Sequence, residues 1–186
     1  MLREGRLTKG QATAFEELWP EFGVDWSEQA APLDFSALFG NDAPVTLEIG
    51  FGNGESLATI AAEHPERNYL GVEVHRPGVG HLLMRIGELG LGNLRVLRED
   101  AVQLMRKGLA EGSLHGINLF FADPWPKKKH HKRRILQPAF VALIARKLKA
   151  GGTFHMATDW QPYAQHMLEV MDASRSFVNC NAGGDY

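Results

Sequence analysis

From Pro44 onward, short apolar runs alternate five times with helical patterns, and this alternation most restricts the folds open to the 186-residue chain. Strands are expected at 45–49, 69–74, 94–97, 117–122 and 153–157, and helices near 54–63, 78–90, 101–110, 137–149 and 162–173. Strands separated by helices of this length argue for an α/β, doubly wound, mostly parallel sheet with helices on both faces. In the fourth helix Phe140, Leu143, Ile144 and Leu148 share a face and Pro138 fits the first turn. Gly151-Gly152 is expected to stop that helix and turn the chain into the fifth strand.

Residues 1–43 read as a leader and residues 44–186 as the main domain. In the leader Arg3, Arg6 and Lys9 precede a short amphipathic stretch with Ala12, Phe15, Leu18 and Trp19 at helical spacing, and Thr8 suits its cap. Those aromatics are expected to pack against the domain, and the cations before them to extend any nucleic-acid surface.

Size and composition set the class. The length suits one domain with a sizeable core, and 44% hydrophobic with 23% charged residues is ordinary for a globular protein. No stretch approaches the roughly 20 apolar residues of a membrane helix, and the start lacks the apolar core of a secretory signal. Cys180 is the only cysteine, which excludes an internal disulfide and fits a reducing cytoplasm. His130 and His131 are adjacent rather than one helical turn apart, and no Cys/His cluster has zinc spacing, so no metal is expected. A monomer is expected.

Charge is localised. Twenty Lys and Arg stand against 22 Asp and Glu, a net charge of −2. Residues 127–134 contain six of the cations and no acid, which leaves the rest of the chain at −8. That run follows an apolar strand and an Asp123-Pro124-Trp125-Pro126 corner, at the strand end where open α/β folds place their chemistry. A carboxylate and an aromatic plane beside a positive patch point to an enzyme acting on a nucleic-acid base. Trp125 either stacks on a base or packs beneath the site, and the basic run itself reads as mostly loop.

At the other end of the domain Gly50, Gly52 and Gly54 follow the first strand and open a helix, letting the backbone turn sharply and approach a ligand. Glu48 precedes that turn. Glu73 ends the second strand, where such folds bind ribose hydroxyls, and Asp100-Ala101 ends the third, where an adenine edge is met. The spacing is G-x-G-x-G, not the G-x-G-x-x-G that wraps a pyrophosphate. Glu48 would repel phosphates and suits a cationic amino-acid cofactor, which favours S-adenosyl-L-methionine over NAD.

Six segments resemble the bacterial tRNA (guanine-N7-)-methyltransferases: GRLTKGQ at 5–11, VTLEIGFGNGESL at 45–57, YLGVEVHRPGVG at 69–80, NLRVLREDAVQLM at 93–105, FFADPWPKKKHHKRRIL at 120–136 and GGTFHMATDWQPYAQHMLEVM at 151–171. The resemblance implies a class I S-adenosylmethionine-dependent methyltransferase fold and methyl transfer to N7 of the variable-loop guanosine of tRNA, position 46 in tRNA numbering. It implies that Glu48, Glu73, Asp100 and Asp123 serve the cofactor, with Asp123 also at the reaction centre. Lys127 and Asp159 are implied as substrate contacts, and Lys129, His130, His131, Lys132, Arg133 and Arg134 as the tRNA-binding stretch. Ala122 stands where the family usually has proline. The family also carries a C-terminal Thr-Lys-Phe-Glu segment and a final strand beyond the point at which this chain reaches Asp185-Tyr186, so the domain is expected to lack both.

Three other readings stay open on the residues alone: an NAD-dependent oxidoreductase, a non-catalytic RNA-binding protein that kept the fold, and a methyltransferase for an exocyclic amine.

Overall fold

The computed structural model describes residues 5–181; Arg3 and the chain end at Asp185-Tyr186 lie outside the described residues. Five strands, β1 (Val45–Ile49), β2 (Asn68–Val72), β3 (Leu94–Leu97), β4 (Leu114–Phe120) and β5 (Leu148–Ala157), form a sheet of order β3-β2-β1-β4-β5. Every neighbouring pair is parallel. All five residues of β1 are buried, as a central strand covered on both faces requires.

Helices α1 (Lys9–Phe22), α2 (Phe35–Phe39), α3 (Glu55–Glu63), α4 (Arg76–Leu89), α5 (Ala101–Gln103, running on as a π-type turn to Gly108), α6 (Pro138–Lys147) and α7 (Gln161–Asp172) cover the sheet. Two apolar cores result. One joins α1, α3 and α4 through Ala14, Leu57, Leu82 and Ile86. The other joins α2, α6 and α7 through Phe39, Phe140, Ile144 and Met167. Alternation along β1 sends Val45, Leu47 and Ile49 into the second core, so Glu48 points to the opposite face. Among the described residues no helix is long and apolar enough to cross a membrane.

Residues N-terminal to β1 contribute to both cores. Thr8 caps α1 in a reciprocal box, its hydroxyl accepting from the Gln11 amide at 3.3 Å while Gln11 Oε1 accepts from the Thr8 amide at 2.9 Å. Beyond α1 the Val24 amide donates to Val96 at 2.8 Å, so the leader covers the outer edge of β3. Trp26 is buried in the second core. The expected elements form with shifted ends. β4 starts three residues early and stops at Phe120, because Phe121 already has a left-handed backbone, φ +51°. α6 ends at Lys147, before the glycine pair; Leu114 pairs with Leu148 but Gly116 pairs with Thr153, so Gly151-Gly152 form a bulge inside β5. The helix α2 was not expected. The basic run is a 3₁₀ helix, Lys128–Arg133, where loop was expected.

One contact fixes the glycine turn against its neighbour. A Cβ at Gly78, in the first turns of α4, would lie 2.0 Å from the Gly52 carbonyl oxygen. Gly78→Ala must therefore displace either α4 or the turn and should destabilise the protein by about 1–3 kcal/mol, read as a lower urea midpoint; an unchanged midpoint would mean that the turn yields freely.

Candidate active site

Parallel strands deliver their C-terminal ends to one edge of the sheet, and the order β3-β2-β1-β4-β5 reverses direction between β1 and β4. A crevice at such a reversal is where open α/β sheets bind ligands. The turn after β1 fills its upper side. Gly50 (φ +67°) and Gly52 (φ +62°) adopt backbone that favours glycine, and a Cβ built on either meets nothing within 4 Å, so open space faces them. Gly54 (φ +79°) is the N-cap of α3.

Glu48 is 3% exposed, and its register partner on β4 is Asn118, which hydrogen-bonds to it. Its Oε2 has no partner. Burial raises its pKa from 4.5 to about 7, with the Asn118 hydrogen bond opposing the rise. Glu73 leaves β2 and ties the turn down: Oε2 accepts from the Gly52 amide at 3.1 Å, and Oε1 from the Val74 and His75 amides at 2.8 and 2.9 Å. Three of its four lone-pair directions are used, leaving one for an incoming hydroxyl. Asp100 caps α5 by accepting from the Gln103 amide at 2.9 Å, and Ala101 begins that helix. His81 adds a contact that the sequence did not reveal, its Nδ1 lying 2.8 Å from the Asn53 carbonyl.

These residues fit an S-adenosylmethionine molecule: a buried carboxyl group with one oxygen unpartnered for a cationic amino group, glycines that leave room beside it, and acids after β2 and β3. A buried acid with an unpartnered oxygen beside the turn is a poor neighbour for a pyrophosphate, which weighs against NAD. Among the described residues no group of three His, Cys, Asp or Glu is placed to hold a metal ion.

The second half of the site follows β4. Asp123 is exposed between two non-glycine residues with left-handed backbone, Phe121 (φ +51°, 67% exposed) and Trp125 (φ +43°). Such conformations cost of order 1–3 kcal/mol each and cluster at functional sites. Trp125 does not lie open: the Arg133 guanidinium sits 5.0 Å over its ring and His130 meets it edge-on at 5.7 Å. Lys127, Lys129, Lys132 and Arg133 are exposed, as is Asp159 beyond β5; His131 is half-buried.

Arg134 is placed differently from the expectation of an RNA contact. It is 4% exposed, its Nε donates to the Pro124 carbonyl at 2.8 Å, and its guanidinium lies 5.1 Å over the buried Tyr163 ring. A charge held in this way is engaged inside the protein, so the cation row ends at Arg133. Gly78, Asn118 and Tyr163 were also not foreseen as site residues; a glycine in the first turns of α4 was the one visible sign among them.

The fold and this crevice define an S-adenosylmethionine-dependent methyltransferase of class I. Residues 42–185 match a family model described as "Putative methyltransferase". Among solved structures the fold is shared with an antibiotic-related methyltransferase (TM-score 0.55, 16% identity, covering 80% of this chain and 76% of the other). An rRNA methylase from Streptococcus thermophilus is similar at TM-score 0.52 and 17% identity, over 78% of this chain and 81% of the other. The tRNA (guanine-N(7)-)-methyltransferase of Alkalilimnicola ehrlichii is 58% identical over 177 residues, 95% of this chain and 75% of the relative. That of Sodalis glossinidius is 57% identical over 184 residues, 99% of this chain and 76% of the relative. The chain belongs to the tRNA (guanine-N(7)-)-methyltransferase family.

Glu48 makes an opposed pair of effects testable. Because its carboxyl titrates higher folded than unfolded, its contribution to stability is present below about pH 4.5 and is lost as pH rises through about 7. Glu48→Gln should therefore be more stable than wild type at pH 8, by up to roughly 3 kcal/mol, while binding S-adenosylmethionine at least tenfold more weakly in calorimetry. A variant with normal affinity would remove Glu48 from the cofactor site.

Proposed function

We propose that the chain transfers a methyl group from S-adenosylmethionine to N7 of the variable-loop guanosine of tRNA, yielding 7-methylguanosine. The observation that carries this reading is the Asp123 corner: an exposed carboxylate between two strained residues, directly ahead of a row of exposed cations. The family relatives carry the same substrate and atom in their names, and the variable-loop position rests on the sequence resemblance.

Bound S-adenosylmethionine supplies an electrophilic sulfonium methyl. The protein then has little proton chemistry to perform, because guanine N7 presents an in-plane lone pair and carries no proton. Its work is positioning and charge. Glu48, ionised against a cationic amino group, and Glu73, with its remaining lone pair, would hold the cofactor, and Asp100 with Ala101 would border its base. Asp123 would accept from guanine N–H groups and stabilise the positive charge that grows on the ring. Lys127 and Asp159 flank the same sheet edge and would contact the substrate nucleotide. Lys129, His130, His131, Lys132 and Arg133 would meet tRNA phosphates, bringing an exposed nucleotide toward the crevice. A tRNA-modifying role supports a cytoplasmic location.

The direct test is mass spectrometry of unmodified tRNA incubated with the protein and labelled S-adenosylmethionine. It should show one 7-methylguanosine in the variable loop; label on an exocyclic amine, or none, would refute the assignment. Asp123→Asn should lower turnover by about 100-fold with the fold intact, and wild-type turnover would remove the carboxylate from the reaction centre. For the cationic row, replacing Lys129, Lys132 and Arg133 by Ala should flatten the log–log salt dependence of tRNA binding by roughly one unit for each phosphate no longer neutralised. An unchanged slope would leave the row as solvated surface.

A further inference from the structure

Arg134 stands where three parts of the molecule meet. On one side its Nε holds the Pro124 carbonyl at 2.8 Å, between the strained Phe121 and Trp125. On another, its guanidinium lies 5.1 Å over Tyr163, which is fully buried in α7. Along the chain it closes the cationic 3₁₀ helix, its amide donating to the His131 carbonyl at 3.0 Å. Gln137 Nε2 braces the same turn, donating to the His131 and Arg134 carbonyls at 3.2 and 3.3 Å. Beyond Tyr163 the contacts continue: its ring stacks on His166 at 5.8 Å, and His166 Nε2 donates to the Leu136 carbonyl at 2.9 Å.

We propose that Arg134 is a positioning residue that couples tRNA engagement of the cationic turn to the backbone aiming Asp123. Arg133, one residue earlier, faces outward over Trp125, so neighbouring arginines divide the labour: one meets solvent, the other locks the corner. A guanidinium suits the place, because Nε donates to the Pro124 carbonyl while the charged carbon lies over the Tyr163 ring, and a lysine has no donor at the Nε position. A push on the 3₁₀ helix reaches Pro124 through one side chain and one hydrogen bond. This role presupposes Asp123 at the reaction centre.

Arg134→Gln, which removes the charge, separates positioning from phosphate binding. Expected is a fall in kcat at saturating tRNA of about 10- to 100-fold, with the salt slope of tRNA binding and the affinity for S-adenosylmethionine unchanged. A slope lowered by about one unit, as for a residue that binds phosphate, overturns the proposal, and so does an unchanged kcat. Hydrogen exchange on the wild-type protein decides independently of whether the variant folds. Binding of tRNA should slow exchange at 121–125 and around Tyr163 as well as at 127–133; slowing confined to 127–133 means that no coupling exists. The exchange result also stands apart from the Asp123→Asn assay, so failure of the coupling and failure of the reaction-centre role are told apart.

Discussion

Because all five strands run the same way, the acid that closes each one emerges on the same edge of the sheet. Glu48, Glu73, Asp100, Asp123 and Asp159 all lie at or just beyond a strand's C-terminal end. Collecting carboxylates on one rim costs electrostatic free energy, and the structure offsets the cost differently at each. Glu73 is held by three backbone amides and Asp100 by the amide it caps. Burial favours the neutral form of Glu48. Asp123 and Asp159 stay in water, and the cationic turn stands next to Asp123. An acidic rim with one basic flank suits a cationic donor on one side and a polyanion on the other.

The site is thus less stable than the scaffold that carries it. A buried carboxyl that resists ionisation and two left-handed non-glycine residues each lower stability near neutral pH. The cores on both faces of the sheet offset that cost. Where strain is concentrated, between Phe121 and Trp125, the surrounding contacts are correspondingly specific: Arg134 on the Pro124 carbonyl, Arg133 and His130 around the Trp125 ring.

Much of this was legible in the residues. The alternation of apolar runs with helical patterns identified five strands because a parallel sheet covered on both faces needs continuous apolar strands, and β1 is buried along its whole length. The glycine turn and the strand-end acids were visible for the same reason: backbone geometry and topology are written locally. What escaped depends on contacts distant in sequence. Nothing near Arg134 distinguishes it from Arg133; only Tyr163, 29 positions on, and the fold between them make one buried and the other exposed. Asn118 meets Glu48 through strand register, and the bulge at Gly151-Gly152 arises through the pairing of β5 with β4. Phe121 ended β4 early because the corner begins in backbone torsion, which an apolar run does not reveal.

Methyl donor and tRNA are held to meet at Asp123, and a structure of the protein with S-adenosylhomocysteine and unmodified tRNA would show it most directly. Expected are a guanine within hydrogen-bond distance of the Asp123 carboxylate, N7 turned toward the sulfur, and phosphates along Lys129, Lys132 and Arg133. A guanine bound elsewhere, or RNA on the face away from those side chains, would contradict it.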